Sequence, residues 1–401
     1  MTQSTASAHT KPTLGFVLLL SSLAAMGPAA VDIYLPSIPS MARDFGVHAG
    51  RAELTVAAFL LGVSSGQFFH GPLSDRIGRK PPLIAAVALF VAASIGCVFA
   101  PTIEVLIGFR FLQALGSCAG VVISRAIVRD LYDDRQTLQV LSVLMGVTGV
   151  APVAAPLVGS LILTIGSWRT VFWMLAAFGA LLLVWVTVAL KESRSPEAAL
   201  QSKGESVFAS YRAVIGQRAV ICYAVATGFA MAAMFTYIAA SPNVVIGHYG
   251  LTPQAYAGIF AVNAAGIIGA TQLNRRLSRR HHVNTLLKWD GLFVLVCGAL
   301  LALSAWTGIG GLPGLLAPLF FIVAHVGMNM PNAVGGAMAI DPKRAGAVSA
   351  VVGAAPFGCG AAAAAITGAL NDGTARPMAT VILICLAISF TGISLLPKRK
   401  L

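Results

Sequence analysis

Gly71-Pro72-Leu73-Ser74-Asp75-Arg76-Ile77-Gly78-Arg79-Lys80 is a short charged stretch held between two long apolar runs, 52–70 and 81–100. Two hundred residues later Thr271-Gln272-Leu273-Asn274-Arg275-Arg276-Leu277-Ser278-Arg279-Arg280 follows another apolar run, 254–273. Leu, Arg, Ile or Leu, Gly or Ser, Arg and Lys or Arg fall in the same order in both. A second matched pair, Ala151-Pro152 and Ala355-Pro356, lies in the runs 137–163 and 345–369. A repeat of this kind, in one direction along the chain, marks two similar halves. Two such halves of six membrane helices each are the plan of alternating-access carriers.

Composition supports a membrane chain. Of 401 residues 57% are hydrophobic and 10% charged, against about 45–50% and about 25% in an ordinary soluble protein. So few charges cannot coat a water-soluble surface of this size, and the apolar excess must face lipid. A bilayer-crossing helix needs about 20 apolar residues. Twelve runs qualify: 14–36, 52–70, 81–100, 103–123, 137–163, 169–190, 218–240, 254–273, 285–306, 312–333, 345–369 and 377–396. The expected fold is all-α, twelve transmembrane helices in two six-helix pseudo-repeat bundles. The halves are expected at 1–190 and 218–401, joined by a polar cytoplasmic linker at 191–217 that carries Pro196 and Gly204. Lys11, the run from Leu14 and Gly27-Pro28-Ala29 also have the outline of a cleavable signal peptide. Its removal would leave eleven spans and spoil the repeat, so the run is taken as the first span.

The net charge of +13 suggests nucleic acid only until the cations are placed. With the N-terminus inside, 22 of the 27 Lys and Arg fall in cytoplasmic loops, while only Arg43, Arg51, Arg169 and Arg376 lie opposite. Arg110 is inside a run. That asymmetry places both termini in the cytoplasm, in a bacterial inner membrane, with the lipid bilayer and not nucleic acid as partner. The six cysteines sit singly in apolar runs as small hydrophobes, and no metal is expected.

The stretch Gly71–Lys80 resembles the loop between the second and third helices of the major facilitator superfamily. Leu106, Arg110, Gln113 and Gly116 resemble that family's fourth-helix motif, with Ala114 where Gly is usual. Gly146, Gly149, Pro152, Pro156 and Gly159 resemble its antiporter motif in loosened form. Asp32-Ile33-Tyr34-Leu35-Pro36, Tyr237-Ile238-Ala239-Ala240-Ser241-Pro242, Pro331-Asn332-Ala333 and Ala345–Ala350 are similar to the Bcr/CflA drug-efflux branch. The resemblance implies a monomeric carrier with no cofactor beyond a proton gradient. It would export small drugs of the phenicol, bicyclomycin or sulfonamide type.

Asp32 is read as the one acid placed in a span away from the basic loops, and Arg110 as the one cation. A carboxylate in a bilayer must pair, face water or take a proton. Along the helices Asp32 lies ~27 Å from Leu14 and Arg110 ~12 Å from Thr102, within ~10 Å of each other in depth. The resemblance implies that Asp32 carries the proton, loaded from outside and released inward, and that Arg110 couples to it. The alternative from the residues alone is that Asp32 caps the outer end of the first span, ahead of Pro36.

For the loop, the resemblance implies a conformational latch between the halves. Gly71 and Gly78 would supply turns, and Asp75 would pair with Arg129 or Arg125. Arg76, Arg79 and Lys80 would hold the cytoplasmic side. Gly149, Pro152 and Pro156 are expected to make a hinge or a close-packed kink. Gly62/Gly66 and Gly116/Gly120 have the spacing of close helix contacts, read as intramolecular. Tyr34, Gln67, Gln113, Tyr237, Asn263, Asn329 and Asn332 are candidate substrate-binding residues, with helix–helix hydrogen bonding as the alternative for each. His325 is either a second proton site or a structural histidine.

Two other function classes were weighed. Gly62-Val63-Ser64-Ser65-Gly66 has the letters of a serine-hydrolase elbow, but that motif works on a strand–turn–helix and here it is mid-helix. A metabolite carrier, importer or exporter, fits the same fold, because fold alone fixes neither cargo nor direction.

Overall fold

The computed structural model describes residues 13–194, 207–341 and 344–396. Lys11, part of the 191–217 linker, and the basic residues Lys343, Lys398, Arg399 and Lys400 lie outside them. Among the described residues the secondary structure is helical throughout, and twelve helical segments are long and apolar enough to cross a bilayer.

In the first half these are span 1 (Leu14–Asp44), span 2 (Ala49–Ile77), span 3 (Lys80–Val98), span 4 (Ile103–Leu131), span 5 (Arg135–Ile165) and span 6 (Trp168–Ala189). In the second they are span 7 (Arg218–His248), span 8 (Pro253–Leu277), span 9 (Val283–Thr307), span 10 (Gly311–Met338), span 11 (Gly346–Ala369) and span 12 (Arg376–Ser394). Each coincides with one of the twelve sequence runs, enclosing it or ending within two residues of it. Several extend further, because polar termini at the membrane surface continue the helix beyond the apolar stretch.

Neighbour relations repeat between the two sets. Span 1 packs on span 5, span 2 on span 4 and span 3 on span 6; span 7 packs on span 11, span 8 on span 10 and span 9 on span 12. Small residues permit these approaches. A Cβ at Gly62 would overlap Phe111 O and Ala114, and one at Gly116 would overlap Ala86 O and Phe90. Both glycine pairs therefore serve intramolecular packing. Bulky apolar side chains such as Trp168, Phe90 and Phe172 fill the interior, while Leu181, Val188, Phe293 and Leu300 face outward, as lipid contact requires.

The ends of the bundle are called here the Asp75 face and the Glu53 face. Spans 2 and 11 meet across the halves along much of their length. Gln67 Nε2 donates to Gly353 O at 3.1 Å, and Ser64 Oγ to Ala354 O at 3.3 Å. A Cβ at Gly50 would overlap Gly368 O near the Glu53 face. At that same face Gln254 of span 8 reaches Ser160 O of span 5. The Glu53 face is therefore drawn shut.

Two local expectations change and one holds. Span 2 runs as helix through Gly71-Pro72 to Ile77, so Gly71 is not in a turn; Gly78, at φ 94°, is. Span 5 stays helical through Pro152 and Pro156. Of its glycines only Gly159 makes a tight approach, against Ile33 O, while Gly146 and Gly149 face open space. Ser64 sits mid-helix with its hydroxyl on a carbonyl, which agrees with the rejection of a hydrolase elbow.

Candidate transport site

Span 1 breaks where the sequence places its acid. The helix from Leu14 ends at Asp32, Pro36 opens a 3₁₀ turn over Leu35–Ser37, and Ile38–Asp44 resumes the helix. Proline cannot donate to the preceding turn, so the break follows from its position. Asp32 is thus at a break within the span, not a cap at its end. It is 3% exposed, and its Oδ1 has no hydrogen-bond partner.

Arg110 does not pair with it. No ion pair joins Asp32 and Arg110 among the described residues. The guanidinium lies 4.1 Å from the Tyr34 ring centroid, 4.4 Å from Phe59 and 5.6 Å from Phe172. One nitrogen donates to Ala30 O at 3.1 Å and to Gln113 Oε1 at 2.5 Å. Desolvated aromatic faces stabilise a cation by about 2 kcal/mol or more, so this cage takes the place of a counter-ion. Similar depth along two helices does not imply contact.

The break beside Asp32 packs against the second half, where Leu35–Ser37 meets spans 7 and 8. Asp32 lies within electrostatic reach of the Tyr237 and Tyr256 hydroxyls of spans 7 and 8. Tyr256 bonds to Ser241 at 3.1 Å, Asn263 donates to Tyr237 at 2.8 Å, and Tyr237 stacks on Phe260 at 5.7 Å. Asp32 with these rings forms one polar, aromatic cluster at the junction of the halves.

The other candidates divide. Tyr34 bonds Thr55 at 3.0 Å and belongs to the arginine cage. Gln113 bridges Arg110 to Ser94, and Asn332 donates to Asn274 and to Met328 O, so both are committed to helix–helix bonds. Gln67 is committed to Gly353 O. Asn329 is 1% exposed with neither amide atom partnered. Thr227 and Thr236, which sequence reading did not single out, likewise have buried unpartnered hydroxyls. An uncharged Thr among alanines gives no signal in a sequence.

Asp32 and Arg110 are also not the only buried charged groups. Glu53 is fully buried in span 2 and accepts from Asn243 and Asn371. Asp290 of span 9 contacts His325 Nδ1 at 3.0 Å, with side chains 4% and 2% exposed. Glu53 lies near a predicted helix end, and Asp290 lies two residues from Lys288, so both read as interface charges along the chain. Only packing shows them enclosed. His325 sits where span 10 changes from the helix ending at Ala324 to the one beginning at Val326.

At the Asp75 face, Arg79 is the organising side chain. It donates to Asp130 Oδ2 at 2.7 Å, to Asp75 Oδ1 at 2.6 Å and to Ser74 Oγ at 2.9 Å. Asp75 also receives Arg194 at 2.8 Å. Arg129 is exposed and is not Asp75's partner, because one helical step turns Asp130 toward the loop in its place; Arg125 and Arg76 make no ion pair with Asp75 either. Glu192 accepts from the backbone N–H groups of Arg79 at 2.8 Å and Lys80 at 3.0 Å. Burial alone would push the Glu192 carboxyl up, but these N–H groups outweigh it and hold it below the usual glutamate value. Burial would likewise lower the Arg79 guanidinium, yet Asp130 and Asp75 more than compensate and raise it. The named contacts of this cluster all lie in residues 74–194, tying spans 2, 3, 4 and 6 together.

Two sets of six spans with repeated neighbour relations and a broken span at their junction are the plan of a secondary carrier. Residues 17–366 match the model of the Major Facilitator Superfamily, and the chain belongs to that family: it is a multi-pass membrane transporter and not an enzyme. It is 32% identical to the uncharacterized MFS-type transporter YdgK of Bacillus subtilis, over 97% of each chain. It is 27% identical to the bicyclomycin resistance protein homolog of Haemophilus influenzae, over 98% of each. Identity to multidrug resistance protein D of Escherichia coli is 30%, over 85% of each.

Proposed function

We propose that the chain is a proton-driven efflux antiporter of a bacterial inner membrane. It would act as a monomer with the Asp75 face and both termini in the cytoplasm, and export small amphipathic drugs of the bicyclomycin, phenicol or sulfonamide type. The observation that carries this reading is Asp32: a buried acid with an unpartnered oxygen, at a break in span 1, between an arginine cage and the tyrosines of the opposite half. Names of the similar proteins support efflux, and the distribution of cations supports the orientation. When the binding region faces outward, Asp32 takes a proton as drug leaves; when it faces inward, the proton departs and drug binds. Tyr237, Asn263, Asn329, Thr227 and Thr236 supply neutral donors, acceptors and a stacking surface for an uncharged amphipathic molecule. Arg110 holds Tyr34 and the Ala30 carbonyl, and so positions the break itself.

The test is expression in a drug-sensitive bacterium, with accumulation of bicyclomycin, phenicols and sulfonamides measured with and without a protonophore. The expected result is lowered accumulation that the protonophore abolishes. Asp32→Asn should lower proton-coupled efflux at least tenfold with normal expression. Full efflux by Asp32→Asn removes Asp32 from the coupling step, and unchanged accumulation of every drug turns the reading toward a metabolite carrier.

A further inference from the structure

The closed end of the bundle is held by a three-residue clasp that the transport site does not use. Glu53, on the first turns of span 2, is 0% exposed. Its Oε1 accepts from Asn243 Nδ2 of span 7 at 2.7 Å and from Asn371 Nδ2, just after span 11, at 2.6 Å. Asn243 also reaches Ala49 O at 3.4 Å. Both donors come from the second half and the acceptor from the first. One turn earlier on span 2, Gly50 meets Gly368 so closely that neither tolerates a Cβ without displacement. The clasp therefore sits over a close backbone approach between the halves.

We propose that Glu53, Asn243 and Asn371 form the gate at this face, with Glu53 as the positioning residue whose single acceptor oxygen joins two segments of the opposite half. Opening the Glu53 face separates span 2 from spans 7 and 11, which breaks both hydrogen bonds together. Closing it restores both through one atom, so the gate has two discrete arrangements. Glu53 Oε2 has no partner in the closed arrangement, and opening lets water reach it. The clasp thus favours closure through Oε1 alone. The inference rests on alternating access but not on the cargo or the direction of transport.

The test is the distance between spin labels at Thr164 and Ala255, exposed positions at the Glu53-face ends of spans 5 and 8. The labels are placed in full-length protein with its six cysteines replaced. Each amide–carboxylate bond lost should raise the open-to-closed ratio about tenfold. Glu53→Ala, Asn243→Ala and Asn371→Ala should therefore shift the population toward the longer distance. Glu53→Gln keeps a carbonyl oxygen for the same donors and should stay within about threefold of the parent. The double variant Glu53→Ala/Asn243→Ala should open only slightly further than Glu53→Ala, because the two share their short bond and Asn243 has beside it only the long 3.4 Å contact with Ala49 O. An unchanged distribution in Glu53→Ala, or in both asparagine variants should Glu53→Ala not fold, overturns the proposal. So does a shift in Glu53→Gln as large as that in Glu53→Ala. A negative drug panel with the expected distances would reject the cargo and leave the gate standing.

Discussion

Replacing Arg79 should damage this protein more than replacing Asp75, although the loop's sequence draws attention to the acid first. The Arg79 side chain is 6% exposed and holds Asp130 through two N–H donors, at 2.7 and 3.3 Å, and Asp75 through a third at 2.6 Å. Removing one partner of a fully buried pair costs about 3–5 kcal/mol, because the survivor is stranded. Here water reaches both carboxylates, with Asp75 49% and Asp130 23% exposed, and Arg194 still pairs with Asp75. The expected loss for Arg79→Ala therefore falls to about 2–3 kcal/mol. Arg79→Lys keeps the charge but not the planar fork that grips Asp130, and should cost about 1–2 kcal/mol. Asp75→Asn, at a half-exposed site whose amide oxygen still accepts, should cost less than about 1 kcal/mol. Equilibrium unfolding of the detergent-solubilised protein measures each loss. Double-mutant cycles then separate the couplings, and the Arg79–Asp130 coupling should exceed the Arg79–Asp75 coupling. A cycle in which Asp75 couples to Arg79 as strongly as Asp130 does would refute the reasoning.

Other consequences can be checked with the same preparation. Asp290→Ala and His325→Ala should each destabilise by about 2–4 kcal/mol, since each strands a buried partner, and the double variant should lose less than the sum. Glu192 has its carboxyl held below the usual value, so the stability it contributes is complete above that usual value and fades as pH falls through the lowered one. Between pH 6 and 8 Glu192→Gln should then melt below the parent by an amount that does not change with pH, while the fall below pH 4.5 should be shallower in Glu192→Gln. Gly50→Ala places a methyl group against the Gly368 carbonyl, and should lengthen the distance between the Glu53-face ends of spans 5 and 8; an unchanged distance would mean that the backbones shift locally instead.

Features with a period or a sign were legible along the chain. Twelve apolar runs gave twelve spans, because an apolar stretch of bilayer length has few other stable arrangements. At Asp32–Pro36 the end of the first helix was legible, since Pro36 lacks the N–H that would bond the Asp32 carbonyl, but the helix that resumes over Ile38–Asp44 was not. Partners were not legible. Arg129 and Asp130 are adjacent letters, and only the rotation of span 4 decides which one meets Arg79. Glu53 read as a charge near a helix end until Asn243 and Asn371, 190 and 318 residues away, closed over it. Pro152 and Pro156 lie within a continuous helix in span 5, as membrane helices allow where neighbours satisfy the freed carbonyls.

The separation of Asp32 from Arg110 bears on how a proton could drive movement. An ion pair would couple protonation to the making and breaking of one contact inside the first half. In this arrangement the arginine is held by three aromatic faces, by Gln113 and by the Ala30 carbonyl, all hydrogen bonds running through one nitrogen, while its Nε and Nη2 have no hydrogen-bond partner. Asp32 stands two residues beyond that carbonyl, at the break, whose Leu35–Ser37 turn packs on spans 7 and 8 with Tyr237 and Tyr256 within electrostatic reach. A charge appearing there acts on the interface between the halves and on hydroxyls that either donate to it or move away. In the proposed cycle the arginine fixes the break in span 1, and the carboxylate sets how favourably the second half closes upon it. Replacing Arg110 would then disturb the geometry of the site, while replacing Asp32 would leave that geometry intact and remove its dependence on the proton.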